Sequence, residues 1–404
     1  MSRVAFISVH GCPFARLGEK DTGGMNVYLL RVAKELASLG IGVDIYTRSH
    51  NQHDAEVFEI GDDVRLVHVD AGPLEESKEQ LFAHLPEFLG NLHHFIQRIG
   101  VRYDAVHSHY WLSGWVGSRF SRTLEIPHIV TFHTLAEAKR QATSEEPDVF
   151  ARFGTEKEVS NEADYVVCFT EHEAEILQRS YGVSENSIMV VPCGVDTEMF
   201  SPGDKLEARA RLGVTDEYVI LFVGRIEPIK GLGTLVQAVE LIEDKNSLKV
   251  LVVGGDSTGP EFQRMRLMCN SLGIENNVSF VGSVPQMELA IYYNAADVLV
   301  VPSKYESFGL VALEAMATGT PVIASRVGGL ATIVEDTKNG YLIPWQCPQP
   351  FARKLEMLLA NESLLEAMGR EAYISAKEYS WSNVGRRLAS LYSSTILQRI
   401  GSAL

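Results

Sequence analysis

The chain has 404 residues, of which 46% are hydrophobic and 22% are charged, and its formal net charge is -16. This length exceeds one ordinary hydrophobic core and predicts two domains. The negative charge disfavours nucleic acid as a partner, and no apolar run approaches the ~18 residues of a membrane span, so integral membrane association is not expected.

Cysteine usage indicates the compartment. The five cysteines are odd in number, scattered and without a CxxC pair, which predicts a reduced, cytoplasmic protein without a zinc site. The N-terminus enters a strand directly at Arg3-Val4-Ala5-Phe6, so we expect no secretion signal.

The first half of the chain alternates apolar strands with amphipathic helices. Strands are predicted at 3–10, 42–47, 64–69, 105–107, 129–132 and 166–168. Helices are predicted at 25–39, 79–99, 112–122, 144–162 and 171–180. This alternation is typical of βαβ units on a parallel sheet.

Proline and glycine between 192 and 203 predict a linker, after which the alternation restarts. Strands are predicted at 218–223, 248–253, 278–280, 298–301, 321–324 and 340–343. Helices are predicted at 231–242, 261–272, 286–294, 309–318, 329–334, 350–379 and 381–399. We therefore predict two α/β domains, residues 1–196 and 197–380, with ligand bound in a cleft at the carboxyl ends of both sheets.

A Gly-Gly pair opens the first predicted helix. Gly23 and Gly24 follow a strand and let the backbone approach a ligand, and a helix N-terminus favours phosphate or polar oxygens. The alternative is an ordinary helix start capped by Asp21 or Thr22. Neither a GxGxxG pattern nor a P-loop is present in this segment.

Two cations follow the first strand of the second half. Arg225 and Lys230 lie between that apolar strand and a helix N-terminus, where positive charges suit a diphosphate. The alternative is an exposed turn with two solvated bases, but the position at a strand end favours the binding site.

Two carboxylates, Glu306 and Glu314, flank the start of another helix. Glu314 is the only charge between Gly309 and Ser325, so burying it without a partner costs several kcal/mol. A ribose diol would satisfy it, and Gly309 and Leu310 would offer backbone N–H groups to ligand hydroxyls. The alternative is a pair of structural acids bonded to neighbouring backbone.

Three histidines, His107, His109 and His133, follow apolar strands and are expected near the ligand. A metal site needs converging ligands with a supporting shell. No carboxylate stands beside them in HxxxE or HExxH spacing, so a hydrogen-bonding role is favoured, most strongly for His133.

Together, the Gly-Gly-Met-Asn loop, Arg225 with Lys230-Gly231, and the two acids with seven residues between them resemble the retaining glycosyltransferases of family 4. The resemblance implies the GT-B fold: two Rossmann-like, doubly wound parallel-sheet domains facing across a cleft. It also implies that a last helix, about 381–404, packs back onto the first domain. Segments 22–28, 106–114 and 133–136 look like the inositol-phosphate branch of the family, and sucrose-phosphate synthases share the loop and the acids.

The resemblance assigns roles by position. The donor-binding residues are Gly23, Gly24, Asn26, Arg225, Lys230, Glu306, Phe308, Gly309, Leu310 and Glu314. Within this set the two cations would hold the diphosphate, Glu306 would lie beside the sugar and Glu314 would bind the ribose. The catalytic residues would be His133, Arg225, Lys230 and Glu306, and the acceptor-binding residues Lys78, Tyr110, Thr134 and Arg152.

The implied reaction moves a hexosyl group from a UDP-sugar to a phosphorylated sugar or polyol. Two versions stay open: UDP-glucose to fructose 6-phosphate, and UDP-GlcNAc to inositol 3-phosphate; Asn26 leans toward the second, because sucrose-phosphate synthases usually have Gln there. No Asp-x-Asp stands out, so we expect neither a catalytic metal nor a resident cofactor. The alternatives are a nucleotide-sugar hydrolase or epimerase and a non-catalytic sugar-nucleotide-binding protein. A homodimer is compatible with the sequence, which does not determine the oligomeric state.

Overall fold

The computed structural model describes residues 2–14, 23–76, 80–142, 149–214, 218–344 and 347–402. These residues form two compact units, with the division after Pro192 and a return to the first unit at Trp381. We predicted the division after residue 196. The boundary comes earlier because Val195 donates its N–H to the Tyr379 carbonyl at 2.8 Å and forms a bridge to Ser380, both in the second unit.

The first unit contains eight strands and seven helices among its described residues. The strands are β1 (Arg3–Ile7), β2 (Gly42–Arg48), β3 (Val57–Gly61), β4 (Val64–Val69), β5 (Ala105–His109), β6 (His128–Thr131), β7 (Tyr165–Cys168) and β8 (Ile188–Val190). The helices are α1 (Gly24–Ser38), α2 (Leu85–Ile99), α3 (Trp111–Leu124), α4 (Ala136–Ala142), α5 (Val149–Glu162) and α6 (Glu171–Ile176), with the last helix of the chain given below. Short 3-10 helices span Leu81–His84 and Glu185–Ser187, and a π-helical turn spans Leu177–Tyr181.

The sheet of the first unit has the order β3-β4-β2-β1-β5-β6-β7-β8. Its neighbours are parallel except at the edge, where β3 runs antiparallel to β4. The parallel sheet agrees with the prediction. The edge strand was missed because its side chains are mostly exposed, so it lacks the apolar run by which the other strands were recognised.

The second unit contains six strands and eight helices among its described residues. The strands are β9 (Tyr218–Val223), β10 (Leu248–Val253), β11 (Val278–Gly282), β12 (Val298–Val301), β13 (Val322–Ser325) and β14 (Gly340–Ile343). The helices are α7 (Lys205–Leu212), α8 (Leu232–Glu240), α9 (Pro260–Ser271), α10 (Gln286–Ala295), α11 (Leu310–Ala317), α12 (Leu330–Ile333), α13 (Pro348–Leu359) and α14 (Glu362–Ala376). A 3-10 helix spans Pro228–Lys230.

The helical segment predicted at 350–379 consists of two helices in the structure. Asn361 separates α13 from α14, and its side-chain oxygen accepts a hydrogen bond from the Leu364 N–H at 3.0 Å. An asparagine that caps a new helix N-terminus in this way ends the preceding helix. Helices α4 and α7 were also missed; both are short, and α7 begins at the Asp204 cap and ends at Gly213, which adopts the left-handed conformation.

The second sheet has the order β11-β10-β9-β12-β13-β14, with parallel pairing throughout. In both units, the strands that come next after the first strand in the chain lie on one side of it in the sheet. The later strands lie on its other side. The reversal lies between β1 and β5 in the first unit and between β9 and β12 in the second. Open parallel sheets bind ligands at the carboxyl ends of the strands at such a point. Ligands are therefore expected at the loops after these four strands.

The last helix, α15 (Trp381–Ser402), belongs to the first unit. It packs closely on α1, since a Cβ built on Gly385 would lie 2.6 Å from the Glu35 Cβ. This packing places Tyr392 against the middle of β5, where its hydroxyl lies 2.6 Å from His107 Nδ1. None of the described helices combines the length and the apolar composition that crossing a bilayer requires.

Candidate active site

The loops after β9 and β12 touch through their backbones. The Lys304 N–H donates to the Ile229 carbonyl at 2.8 Å, and Gly231 adopts a positive φ of 74°. A Cβ built on Gly231 would lie 2.0 Å from the Pro302 carbonyl oxygen, so only glycine permits this approach. The contact joins the predicted cation loop to the loop that carries Glu306.

Lys230 and Glu306 form an ion pair across these two loops. The Lys230 Nζ lies 2.7 Å from Glu306 Oε2, and the side chains are 23% and 16% exposed. An ammonium group has three N–H donors, so one bond to Glu306 leaves two for ligand oxygens. The second predicted cation, Arg225, pairs with Glu227 at 2.8 Å and is more exposed.

Sequence reasoning missed the glycines that support Glu306. The Gly329 N–H in the loop after β13 donates to the Glu306 carbonyl at 3.0 Å. A Cβ on Gly328 would lie 1.9 Å from that same oxygen, and one on Gly329 would lie 2.2 Å from the Phe308 Cα. The signal was a Val-Gly-Gly sequence directly after a buried strand, which resembles the Gly-Gly pair that the sequence analysis did use.

The N-terminus of α11 supplies backbone rather than side-chain groups. Gly309 is its N-cap with a φ of 101°, and among the described residues no side chain caps it. The Phe308 side chain is buried, so it can serve a ligand only through its N–H group. The first N–H groups of a helix have no intrahelical acceptor, and a role of residues 308–310 through their backbone stays a prediction.

Glu314 has a partner within the protein. Its side chain is buried, 7% exposed, and accepts a hydrogen bond from the Tyr293 hydroxyl at 2.7 Å and a longer one from Gln286 Nε2 at 3.4 Å. Burial and then the adjacent carboxylate raise the pKa of Tyr293 well above its ordinary value, so the hydroxyl stays protonated and donates. Two residues of α10, Tyr293 and Gln286, therefore provide part of the hydrogen bonding that the buried Glu314 carboxylate requires.

Substitution of Glu314 by glutamine separates the expected ligand role from this structural one. We expect Glu314→Gln to weaken UDP binding about 10-fold to 100-fold, because a hydrogen bond to a charged group contributes about 1.5–3 kcal/mol. The matched control is Tyr293→Phe, which keeps the carboxylate and should bind UDP nearly as the native protein does. Isothermal titration calorimetry measures both; native UDP affinity in Glu314→Gln would make Glu314 a purely structural acid.

In the first unit, two predicted site residues adopt left-handed backbone conformations. Tyr110 follows β5 with a φ of 78°, and His133 comes shortly after β6 with a φ of 60°. Such conformations cost about 1–3 kcal/mol for residues other than glycine and cluster at functional sites. Because β5 and β6 are neighbours, both side chains lie at the same edge of the sheet.

The histidines form a hydrogen-bonded group rather than a metal-ligand set. His133 Nε2 and His109 Nδ1 lie 3.0 Å apart, and His107 Nε2 lies 2.9 Å from the Thr131 hydroxyl. The ring of His133 also contacts those of Tyr28 and Phe169. Burial lowers the pKa of His133 to about 3, so its imidazole is neutral at pH 7.

Three of the four predicted acceptor residues come together in the structure. The Arg152 guanidinium lies over the Tyr110 ring, 4.9 Å from its centroid, and donates to the Thr134 carbonyl. Lys78, the fourth, lies outside the described residues.

Glu156, which sequence reasoning missed, holds Arg152 in place. It is fully buried and accepts from Arg152 Nε at 2.7 Å and from the Tyr181 hydroxyl at 2.6 Å. Burial acts to lower the pKa of Arg152, but the charge and hydrogen bond of Glu156 together with Tyr110 and Tyr181 outweigh burial, so the pKa is raised. The i,i+4 spacing of Arg152 and Glu156 on a helix was the available signal.

The Gly-Gly loop is described from Gly23 onward. Gly23 is the N-cap of α1, and no side chain among the described residues caps this end; the alternative caps, Asp21 and Thr22, lie outside those residues. Asn26, assigned to the donor by resemblance, is buried and donates from Nδ2 to the Cys12 carbonyl at 2.6 Å. In this structure its amide therefore ties the loop after β1 to α1.

Two family descriptions match consecutive parts of the chain. Residues 22–199 match glycosyltransferase family 4, and residues 204–375 match glycosyl transferases group 1. Together these matches cover most of both units.

The chain is also similar to whole proteins. It is 41% identical over 406 residues to the D-inositol 3-phosphate glycosyltransferase of Corynebacterium glutamicum (strain R), covering 98% of this chain and 97% of that protein. It is 34% identical to the sucrose-phosphate synthase of Thermosynechococcus elongatus, with a TM-score of 0.91 and coverage of 98% and 100%. The Anabaena protein HepE, in complex with UDP-glucose, has the same fold with a TM-score of 0.79, 19% identity and coverage of 98% and 100%.

Proposed function

Because the chain belongs to the family 4 glycosyltransferases, which have the GT-B fold, we propose that it moves a hexosyl group from a UDP-sugar to a phosphorylated small-molecule acceptor with retention of configuration. The observation that carries the proposal is the Lys230–Glu306 ion pair at the reversal point of the second sheet. A cation and a carboxylate at that point match the two halves of a sugar nucleotide, its diphosphate and its sugar hydroxyls.

The donor occupies the loops of the second unit. Lys230 and Arg225 bind the diphosphate, and Glu306 accepts hydrogen bonds from the sugar hydroxyls. Glu314 keeps its bond from Tyr293 and accepts a further hydrogen bond from the ribose. The N–H groups at the start of α11 complete the contacts, and the positive end of the helix favours the negatively charged donor.

Departure of UDP is helped by charge already in place. As the glycosidic bond breaks, negative charge grows on the diphosphate, and Lys230 stabilises it without reorganisation. The acceptor hydroxyl loses its proton to a phosphate oxygen of UDP on the same face of the sugar, which retains configuration. Glu306 therefore need not form a covalent bond to the sugar, unlike the nucleophile of a retaining glycosidase.

The acceptor phosphate binds at Arg152 in the first unit. Its guanidinium is ordered by Glu156 and by the Tyr110 ring, which limits the rotamer entropy lost on binding. The names of the Corynebacterium and Thermosynechococcus enzymes each denote a phosphate ester, as acceptor in the first and as product in the second. We propose fructose 6-phosphate, with UDP-glucose, and inositol 3-phosphate, with UDP-GlcNAc, as the pairs to test.

His133, neutral at pH 7, hydrogen-bonds the donor sugar near the reacting centre.

Catalysis is proposed to need no divalent metal, because Lys230, Arg225 and the α11 N-terminus supply the positive charge that magnesium supplies elsewhere. We expect kcat of metal-depleted enzyme to stay unchanged when Mg²⁺ or Mn²⁺ is added. A steady-state UDP-release assay in metal-free buffer measures this; a many-fold rise in kcat with magnesium would refute this part of the proposal.

The same assay separates transfer from the alternative activities. A glycosyltransferase releases UDP rapidly only when donor and acceptor are both present. A hydrolase releases UDP and free hexose from the donor alone, an epimerase changes the donor sugar without releasing UDP, and a binding protein does neither. Acceptor-dependent UDP release with one of the two pairs supports the proposal, and release that does not depend on the acceptor contradicts it.

A further inference from the structure

A cysteine and two histidines converge at the carboxyl ends of three adjacent strands in the first unit. Cys12 follows β1, His50 follows β2, and His68 lies on β4, and these strands are neighbours in the sheet. One potential ligand atom from each residue lies within 4.8 Å of those of the other two. Their separation along the sequence explains why spacing alone predicted no zinc site.

His68 presents an unsatisfied nitrogen to this group. Its Nδ1 lies 2.7 Å from the Ala55 carbonyl, and because a carbonyl only accepts, Nδ1 carries the proton. In the neutral ring Nε2 then has a lone pair and no hydrogen. The side chain is 8% exposed, and Nε2 is buried with no hydrogen-bond partner in the described part of the chain. A buried polar atom left unsatisfied costs about 1–3 kcal/mol, so a ligand for this lone pair would remove a real penalty.

Asp54 lies between the two imidazoles. Its Oδ2 is 3.0 Å from His50 Nδ1 and 4.0 Å from His68 Nε2. The carboxylate is oriented by the backbone N–H groups of His50 and Asn51, which donate to the same oxygen. At 4.0 Å the carboxylate is too far to hydrogen-bond with His68 directly, even if the imidazole were protonated.

We propose that Cys12, His50 and His68 bind one zinc ion, with Asp54 as the fourth ligand. Thiolate, imidazole and carboxylate are zinc ligands, and a thiolate with a carboxylate neutralises a divalent charge in this partly buried place. Bonds of about 2.0–2.3 Å in a tetrahedron put ligand atoms about 3.4 Å apart. The distances from Asp54 Oδ2 to the two imidazoles bracket this value, and binding requires side-chain rotations that bring the three atoms of the group, now within 4.8 Å, closer together.

The proton balance and the orientation of His68 suit the ion. Cys12 binds as thiolate and releases its proton to solvent, while the imidazoles bind as neutral bases. The Nδ1–H of His68 on a backbone carbonyl is the outer hydrogen bond that usually orients a metal-ligating histidine. The alternative is that no metal binds and that His50 is an imidazolium paired with Asp54.

The ion has a structural role near the active site. The Cys12 carbonyl accepts from Asn26, which lies in the first turn of α1 behind Gly23 and Gly24. A metal bond to the Cys12 thiol therefore anchors the loop after β1 beside that helix start. None of its ligands is a residue proposed to bind the diphosphate, so its test does not depend on the proposed transferase activity.

Cobalt titration of metal-depleted full-length protein tests the site. Co²⁺ replaces zinc in such sites and gives a thiolate-to-metal charge-transfer band only when bonded to sulfur. We expect a band that saturates at one equivalent and is lost in Cys12→Ser and in His68→Gln. We also expect either substitution to lower zinc affinity more than about 100-fold, since even outer-shell changes cost 10-fold to 100-fold.

The matched controls are Cys347→Ser and His172→Gln, which remove an exposed thiol and an exposed imidazole outside the group and should keep the band. Circular dichroism identifies the variants that fold. If Cys12→Ser does not fold, loss of the band in folded His68→Gln still tests the site. A native protein without the band, or a band that persists in folded Cys12→Ser, would show that no such site exists.

Discussion

Replacing Lys230 by alanine is expected to lower kcat by about 10²–10³-fold, the effect of removing one preorganised group that stabilises transition-state charge. The charge of Lys230 acts on the departing diphosphate, whose negative charge is larger in the transition state than in the bound donor. KM for the donor should therefore change far less than kcat. Steady-state kinetics with saturating acceptor measure both constants.

The control for this substitution is Lys338→Ala, which removes an exposed lysine paired with Glu335 on the same unit. It should leave kcat unchanged, and both variants should unfold at nearly the native temperature. If Lys230→Ala keeps a near-native kcat, the lysine does not stabilise the leaving group. In that case the Lys230–Glu306 pair only joins two loops.

Arg152→Met is expected to have two separable effects. It removes the phosphate anchor, so KM for the phosphorylated acceptor should rise about 10-fold to 100-fold while KM for the donor stays constant. It also leaves Glu156 buried beside an apolar side chain, and breaking a buried ion pair costs about 3–5 kcal/mol of folding free energy. Kinetics and urea unfolding measure the two effects independently.

The double variant Arg152→Met/Glu156→Gln distinguishes them. Neutralising the buried carboxylate should restore most of the lost stability, whereas the acceptor KM should stay high because the cation is still absent. Recovery of the native acceptor KM together with stability would mean that Arg152 only supports the fold. An equal rise in both KM values would likewise remove Arg152 from the acceptor site.

The loops that carry Lys230 and Glu306 could be located from the sequence because buried strands are easy to recognise. Lys230 and Glu306 each follow a nearly continuous apolar strand, and parallel strands present their carboxyl ends at one edge. The ion pair between them was not predictable. It depends on the backbone contact between Gly231 and Pro302, which lie far apart in the chain.

The expected burial of Glu314 predicted that its carboxylate needs a hydrogen-bond partner, but not which residue provides it. Glu314 is the only charged residue of an apolar helix, so its carboxylate requires a partner, either a ribose or neighbouring backbone. The structure adds Tyr293, which reaches it from α10. Packing between helices decides such contacts, and a single sequence records no distances between them. The Arg152–Glu156 pair was readable in principle, because both residues lie on one helix.

Identification of the reaction product measures the transfer itself. UDP-glucose with fructose 6-phosphate, and UDP-GlcNAc with inositol 3-phosphate, are each incubated with the enzyme, and the products are analysed by NMR and mass spectrometry. We predict that one pair yields UDP and a phosphorylated α-glycoside that retains the anomeric configuration of the donor. UDP with free hexose and unchanged acceptor, or a glycoside of inverted configuration, would contradict the proposed function.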